Sequence, residues 1–385
     1  MDIEVVKYLL STDGEKLLET AKSLSGSFLT RLTTLRKQYP SPVASAALEL
    51  LDLRHRATKK FAKGEIMFFT REALEQSSGE VISRYRAERF PKDAKILDLA
   101  CGIGGDTIGL ASRCFVTAVD YDPVRILMAE RNLQVYGLSD RVTFICADVT
   151  QIPLKADAAF LDPSRRSGGR RIVKLSQLNP PLEFIHRLVN TIPNCAVKLS
   201  PASDDSELEA LNGEIEFLSE SGECKEALVW FGRFNTTSKR ATVLPERASI
   251  IYEPVQPIPV MKPGQYLYEP DPCIIRAHLV EHVALQISAW KIDDQIAYLS
   301  SDTLLRTPFA DAYKVLESLP FNLKTLKRTL NTMGAGKIIV KKRGVPFEPR
   351  EMEKRLKTSG DQEFIVILTR VSDTPWAFIC STDRA

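Results

Sequence analysis

Histidine is scarce in this chain, with four in 385 residues, and there are only seven cysteines. The cysteines sit at 101, 114, 146, 195, 224, 273 and 380, so no two lie closer than 13 residues. That spacing excludes a CxxC zinc or redox pair, and the odd number argues against a disulfide framework. His278 and His282 are one helical turn apart, but Leu279-Val280-Glu281 between them shows an amphipathic helix, so no metal site is expected. Long hydrophobic runs are missing as well: none reaches the roughly 18 residues that a membrane span needs. Met1-Asp2-Ile3-Glu4 carries acid where a secretory leader is basic. A cytoplasmic protein without metal or membrane is therefore expected. Net charge is nearly absent too, since 52 Lys and Arg against 49 Asp and Glu leave +3, a balance that names no polyanionic partner. The apolar fraction of 44% excludes a mostly disordered chain.

What is present divides by region. Residues 3–90 read as helical: Ile3 to Leu10, Lys16 to Tyr39, and Pro42 to Phe61, with Val43, Ala46, Ala47, Leu50, Leu51 and Leu53 near helical period. From Pro91 short strand-like runs alternate with helical stretches such as Pro123 to Tyr136 and Leu182 to Val189. The runs are Lys95–Leu99, Phe115–Val119, Arg141–Ile145, Ala158–Leu161 and Ala196–Leu199. Such alternation predicts an α/β fold, a parallel sheet covered by helices on both faces. A proline-rich tract follows Val243, and beyond it lie two small αβ units. The expected domains are 1–90, helical; 91–245, the parallel sheet; 246–318, linker and first small unit; and 319–385, the second.

The chemistry concentrates in the parallel-sheet region. Asp98-Leu-Ala-Cys-Gly102-Ile-Gly104-Gly105-Asp106 follows the first strand, and so glycine-rich a loop brings backbone close to a ligand and exposes the amides of the next helix. Thr107 stands where a dinucleotide fingerprint has its third glycine, which favours a nucleoside without phosphates. Asp120 ends the second strand, placed for ribose hydroxyls, and Asp148 follows the third, within reach of an adenine amino group. Ligands of open α/β sheets bind at that carboxyl edge.

These motifs, with Asp162-Pro163 later, resemble those of class I S-adenosylmethionine-dependent methyltransferases over about residues 65–235. The resemblance implies a Rossmann-like sheet. It gives the methionine part of the cofactor to Asp98 and the Gly102/Gly104 loop, in which Ala100 also counts as cofactor-binding. The ribose falls to Asp120, and the adenine to Asp148 and Val149. Met67-Phe68-Phe69-Thr70-Arg71 and Gln76 look like a lead-in helix that lids the cofactor, though the first three read equally as a helix core. Asp162-Pro163-Ser164-Arg165 departs from the Asn/Asp-Pro-Pro-aromatic form of amino-group enzymes, because Ser164 replaces the second proline and no aromatic follows. Asp162 and the Pro163 carbonyl can still accept the hydrogens of an amine. Carbon methylation through a cysteine adduct is disfavoured, since the fifth strand runs out through Lys198-Leu-Ser-Pro201 without a cysteine and Cys195 lies before it.

Arg165, Arg166, Arg170, Arg171 and Lys174 form an acid-free basic loop after this motif, suited to a phosphate-bearing substrate. Gly264–Asp271, Ala297–Asp302 and the stretch from Phe321 to Arg355 resemble a bacterial family that adds small α+β ferredoxin-like and THUMP-like domains to the methyltransferase. That implies an RNA substrate, tRNA or rRNA. Residues 321–357 hold eleven Lys and Arg against three acids, a net of +8 on a chain of +3. Lys341, Lys342 and Arg343 are the expected RNA contacts in this basic module. The expected function is methylation of an RNA base nitrogen. The alternatives are a small-molecule or protein methyltransferase, or a non-catalytic RNA-binding protein on the same scaffold. Oligomeric state is not legible.

Overall fold

The computed structural model describes residues 1–164, 166–167, 170–171 and 174–384, and of 166, 167, 170, 171, 383 and 384 the backbone alone. Arg165 lies outside the described residues. Two compact units emerge: Met1–Ile215 with Glu226–Thr236, and Glu216–Lys225 with Thr237–Ala385.

The first unit begins with six helices: α1 (Ile3–Leu10), α2 (Thr12–Ser23), α3 (Phe28–Leu35), α4 (Ser41–Ala57), α5 (Arg71–Gln76) and α6 (Glu80–Ala87). Side-chain oxygens set their starts: Asp2, Ser11, Ser27 and Thr70 accept from the amides of Glu4, Gly14, Thr30 and Ala73. The continuous helix expected from Lys16 to Tyr39 is broken at residues 24–27. There Gly26 adopts φ +103° and Ser27 restarts the chain as a new cap, local signals that outweigh the apolar period.

The sheet region follows as β1 (Lys95–Leu99), α7 (Gly105–Ala111), β2 (Phe115–Asp120), α8 (Pro123–Tyr136), β3 (Val142–Cys146) and β4 (Ala158–Leu161). Next come two-residue strands β5 (Arg166–Ser167) and β6 (Arg170–Arg171), then α9 (Leu182–Thr191), β7 (Cys195–Leu199) and α10 (Asp205–Glu209). The strand order is β7-β4-β1-β2-β3, all parallel, with registers Leu99↔Leu161, Leu99↔Val119, Asp120↔Cys146 and Leu161↔Val197. The carboxyl ends therefore share one edge. Two strands in sequence on one side of β1 and two on the other put the order reversal at β1/β4, where such sheets hold ligands. β8 (Glu214–Glu220) and β9 (Glu223–Trp230) come next, and β9 runs antiparallel to β7 through Leu199↔Ala227 and Ala196↔Trp230. Helix α7 lies so close to α6 that a Cβ on Gly109 would fall 2.3 Å from the Ser83 carbonyl oxygen, which requires glycine there.

The second unit contains β10 (Lys239–Leu244) and β11 (Ala248–Ile251), an antiparallel pair. After them come β12 (Tyr266–Pro270), α11 (Pro272–Arg276), α12 (Val280–Gln286), β13 (Trp290–Lys291), β14 (Leu299–Ser301) and β15 (Ala310–Pro320). The chain finishes with α13 (Leu323–Thr332), β16 (Ala335–Lys342), α14 (Pro349–Leu356), β17 (Gln362–Val371) and β18 (Thr374–Arg384). Seven of these strands make one sheet, β13-β14-β12-β15-β18-β17-β16. The position 318/319, where the sequence pattern divides the small αβ units, falls inside β15 of this continuous sheet. His278 does not share a helical face with His282. It precedes α12 with φ +59°, while the His282 ring bonds the Glu253 backbone. Among the described residues no helix is long and apolar enough to cross a membrane, and no three His, Cys, Asp or Glu side chains gather as a ligand set.

Candidate active site

The glycine loop leaves β1 at Asp98 and Leu99. Ala100 and Gly102 take φ of +64° and +55°, and Gly104 takes +83°, so the loop turns sharply into α7. A Cβ on Gly102 would meet no atom within 4 Å, leaving open space over that backbone. The loop is braced from both sides. Asp120 Oδ2 accepts from the Gly102 amide at 2.9 Å, and Asn132 Nδ2 on α8 donates to the Ile103 carbonyl at 3.0 Å. Asn132 also bonds the Phe68 amide and carbonyl at 2.7 and 3.1 Å. Met67, Phe68 and Phe69 are therefore core residues in an irregular segment, buried and pinned against the glycine loop; the helix starts only at Arg71.

Asp98 is fully buried. Its Oδ2 accepts from Thr107 Oγ1 at 2.6 Å, and its Oδ1 is buried with no hydrogen-bond partner. Burial, joined by the nearby Asp106 charge, pushes this carboxyl up to about 8. An unpartnered acceptor beside open glycine backbone fits the ammonium of a methionine moiety, so the residues present suit S-adenosylmethionine. Asp120 is also raised by burial, against the Asp122 and Gly102 amides that stabilise its charge. Asp148 is exposed and held low by the Thr150 amide and hydroxyl, each 2.8 Å from Oδ1; Val149 beside it is buried. All seven expected cofactor residues thus lie at the carboxyl edges of β1, β2 and β3.

At the end of β4 the Asp162 amide donates to the Leu99 carbonyl at 3.2 Å, which sets Asp162 beside the start of the glycine loop. Pro163 is buried, and Ser164 forms an antiparallel bridge with Asn179. That bridge closes the base of the basic loop, in which β5 and β6 pair through Arg166↔Arg171. Side chains of Arg166, Arg170 and Arg171 are among those not described.

Sequence reasoning missed the residues beneath Asp162. Lys198 on β7, 3% exposed, donates to Asp162 Oδ2 at 2.5 Å and to Ser78 Oγ at 2.9 Å. It also lies 3.9 Å from Asp106 Oδ2. Arg86 on α6, 1% exposed, is ion-paired with Asp106 and Glu226 and covers the Phe160 ring at 4.4 Å. Burial works against the Asp106 charge, yet Arg86 and Lys198 hold its carboxyl below the ordinary range. The available signal was a charge inside an otherwise apolar strand, Cys195-Ala-Val-Lys198-Leu. Its partners lie far away in sequence, so no local pattern exposes the cluster.

In the second unit, Lys341 Nζ sits 2.6 Å from Glu269 Oε2 and Arg343 lies 3.5 Å from Oε1, both half-buried, while the exposed Lys342 pairs with Glu348 at 2.7 Å. Lys341 and Arg343 thus share Glu269 as their acid partner. Lys324 and Arg328 on α13, Arg350 and Lys354 on α14, and Lys357 are exposed, with no acid partner among the described residues. Leu326, Leu330, Met352 and Leu356 bury the opposite faces of these helices, and Lys327 Nζ donates across to the Arg355 carbonyl at 3.2 Å.

A parallel sheet with this order reversal, a glycine loop after its first strand and acids after the next two defines a nucleoside-binding α/β enzyme. The chain belongs to the S-adenosylmethionine-dependent methyltransferases. An uncharacterized methyltransferase of this kind from Mycobacterium tuberculosis is 32% identical over 331 residues, covering 82% of this chain and 89% of that one. Trimethylguanosine synthase of Schizosaccharomyces pombe is 36% identical over 102 residues, 24% of this chain and 43% of that protein. The family described as RNA cap guanine-N2 methyltransferase matches residues 93–199, and THUMP domain-like matches 310–382. A domain of unknown function matches 2–57. A Porphyromonas gingivalis structure assigned as a methyltransferase has the same fold, with TM-score 0.77 at 20% identity over 99% of this chain and 98% of that one. The chain is thus a methyltransferase that uses S-adenosylmethionine and carries a THUMP-like domain.

A cation docking on Asp98 favours its ionised form, and this carboxyl is mostly protonated at pH 7 when its value is about 8. S-adenosylmethionine binding at pH 7 should therefore release close to one proton, and affinity should rise as pH increases from 6 toward 8. Calorimetry in buffers of different ionisation enthalpy reads the release directly. Asp98→Asn should abolish it, and a buffer-independent enthalpy in the wild type would contradict this account.

Proposed function

We propose that this protein methylates an exocyclic nitrogen of a base in RNA, tRNA or rRNA, in the cytoplasm. The observation that carries the reading is Asp162, one strand from the glycine loop, with Oδ2 occupied by Lys198 and Oδ1 making no hydrogen bond among the described residues. When bound, S-adenosylmethionine supplies an electrophilic methyl group on a sulfonium. Asp162 Oδ1 and the Pro163 carbonyl accept the two amine hydrogens and turn the nitrogen lone pair toward that methyl, so the contribution of the chain is orientation. Asp162 Oδ1 would take the proton that the nitrogen loses and pass it to water. The name of one relative, trimethylguanosine synthase, and the description of one matching family, RNA cap guanine-N2 methyltransferase, agree with a nitrogen acceptor.

The basic loop after Ser164 grips phosphates beside a base turned out of its stack. The second contact is the cationic face of α13 and α14 in the THUMP-like part. Lys342 is exposed and can join it, whereas Lys341 and Arg343 support the module from within. Lys324, Arg328, Arg350 and Lys354 changed together to Ala should weaken binding of total cellular RNA. The slope of log affinity against log salt should become shallower by about 0.7 to 0.9 for each phosphate that is no longer neutralised. Unchanged affinity and slope in a filter-binding titration would remove this face from the RNA interface.

A further inference from the structure

We propose that Lys198 is a positioning residue for methyl transfer: its buried ammonium clamps one oxygen of Asp162 and thereby presents the other to the acceptor. This rests on the reading of Asp162 as the acceptor-side residue.

Two hydrogen bonds and a longer ion pair hold the ammonium. It donates to Asp162 Oδ2 at 2.5 Å and to Ser78 Oγ at 2.9 Å, and Asp106 Oδ2 lies 3.9 Å away. Ser78 in turn donates to Asp106 at 3.1 Å, so the two anchors of the ammonium are tied together behind it. Asp106 is held by Arg86, and Arg86 by Glu226. The parallel register Leu161↔Val197 puts Asp162 and Lys198 next to each other at adjoining strand ends. Without the clamp, a carboxylate at 20% side-chain exposure turns about its last bond toward water, and the in-line geometry is lost. A buried lysine within an apolar strand is costly unless it is paired, and the catalytic-edge carboxylate is its shortest contact.

The test uses the full chain, tritiated S-adenosylmethionine and, as acceptor, an unfractionated extract of a strain lacking the gene, with and without ribonuclease treatment. Lys198→Met should lower kcat about 100-fold, the loss expected from a misplacement of about 1 Å, with KM and calorimetric affinity for S-adenosylmethionine unchanged. Lys198→Arg should restore part of the rate, and ethylammonium added to Lys198→Ala should restore part as well, which a purely structural lysine would not show. If Lys198→Met does not fold, Ser78→Ala decides: lower kcat at constant KM supports the clamp, and wild-type kcat overturns it. Wild-type kcat in folded Lys198→Met overturns it too. Asp162→Ala with full activity would sink the acceptor-side reading and this one together. An inactive Asp162→Ala beside a fully active Lys198→Met would sink the clamp alone. Methyl transfer that survives ribonuclease would count against RNA as substrate and leave the Lys198 comparison intact.

Discussion

Asp162→Ala should reduce methyl transfer by about 10²- to 10⁴-fold while the protein still folds and binds S-adenosylmethionine. The two effects separate because the proposed reading gives Asp162 to the acceptor, at the end of β4, and Asp98, Gly102 and Asp120, at the ends of β1 and β2, to the cofactor. Asp162→Asn should be intermediate. Its carbonyl oxygen can still accept one hydrogen bond from the amine, but only if the amide nitrogen faces Lys198, and an N–H opposed to an ammonium is repulsive. With the oxygen toward Lys198, the nitrogen faces the substrate and donates where an acceptor is needed. Initial rates with tritiated cofactor, beside calorimetric affinity, check both; equal rates in Asp162→Ala and wild type would contradict the assignment.

Arg86→Met should destabilise the first unit by about 3 to 5 kcal/mol, the usual consequence of removing one partner from a buried ion pair. Arg86 is 1% exposed and faces two buried carboxylates, Asp106 and Glu226, which the variant leaves without their cation. Lys198 remains 3.9 Å from Asp106, too far to replace a direct guanidinium contact. The pH dependence has a definite sign. Asp106 titrates below its ordinary 3.8 in the folded state, so the stability it contributes is full above that value and is lost as pH falls through the lowered one. The difference between Arg86→Met and wild type should therefore be largest near neutrality and shrink in acid. Chemical denaturation at several pH values measures it, and a loss below about 1 kcal/mol would mean that the cluster stabilises little.

The parallel sheet was legible because its strands are apolar runs bounded by punctuation. Lys95–Leu99 and Ala158–Leu161 are strands with the expected ends, and Pro123–Tyr136 is a helix capped by Asp122 and ended by Gly137 at φ +71°. The edge acids were legible because strand ends mark where ligands bind. Contacts remote in sequence stayed hidden. Arg86, Asp106, Lys198 and Glu226 come from four separate segments, and although Lys198 stands out in an apolar run, nothing local links it to the other three. The direction of a side chain was hidden for the same reason. The run Lys341-Lys342-Arg343 reads as a basic patch, yet strand alternation sends Lys341 and Arg343 to one face, where Glu269 receives them, and Lys342 to the other. The helix break at residues 24–27 was visible as Ser25-Gly26-Ser27 but was overridden by the apolar period on either side.

The most direct test of an RNA-base methyltransferase is nucleoside mass spectrometry of tRNA and rRNA from a strain lacking the gene, complemented with wild type or with Asp162→Ala. One methylated nucleoside should disappear on deletion, with its methyl group on nitrogen, and return with wild type but not with Asp162→Ala. An identical nucleoside profile in all four strains, the parent included, would contradict RNA as the substrate.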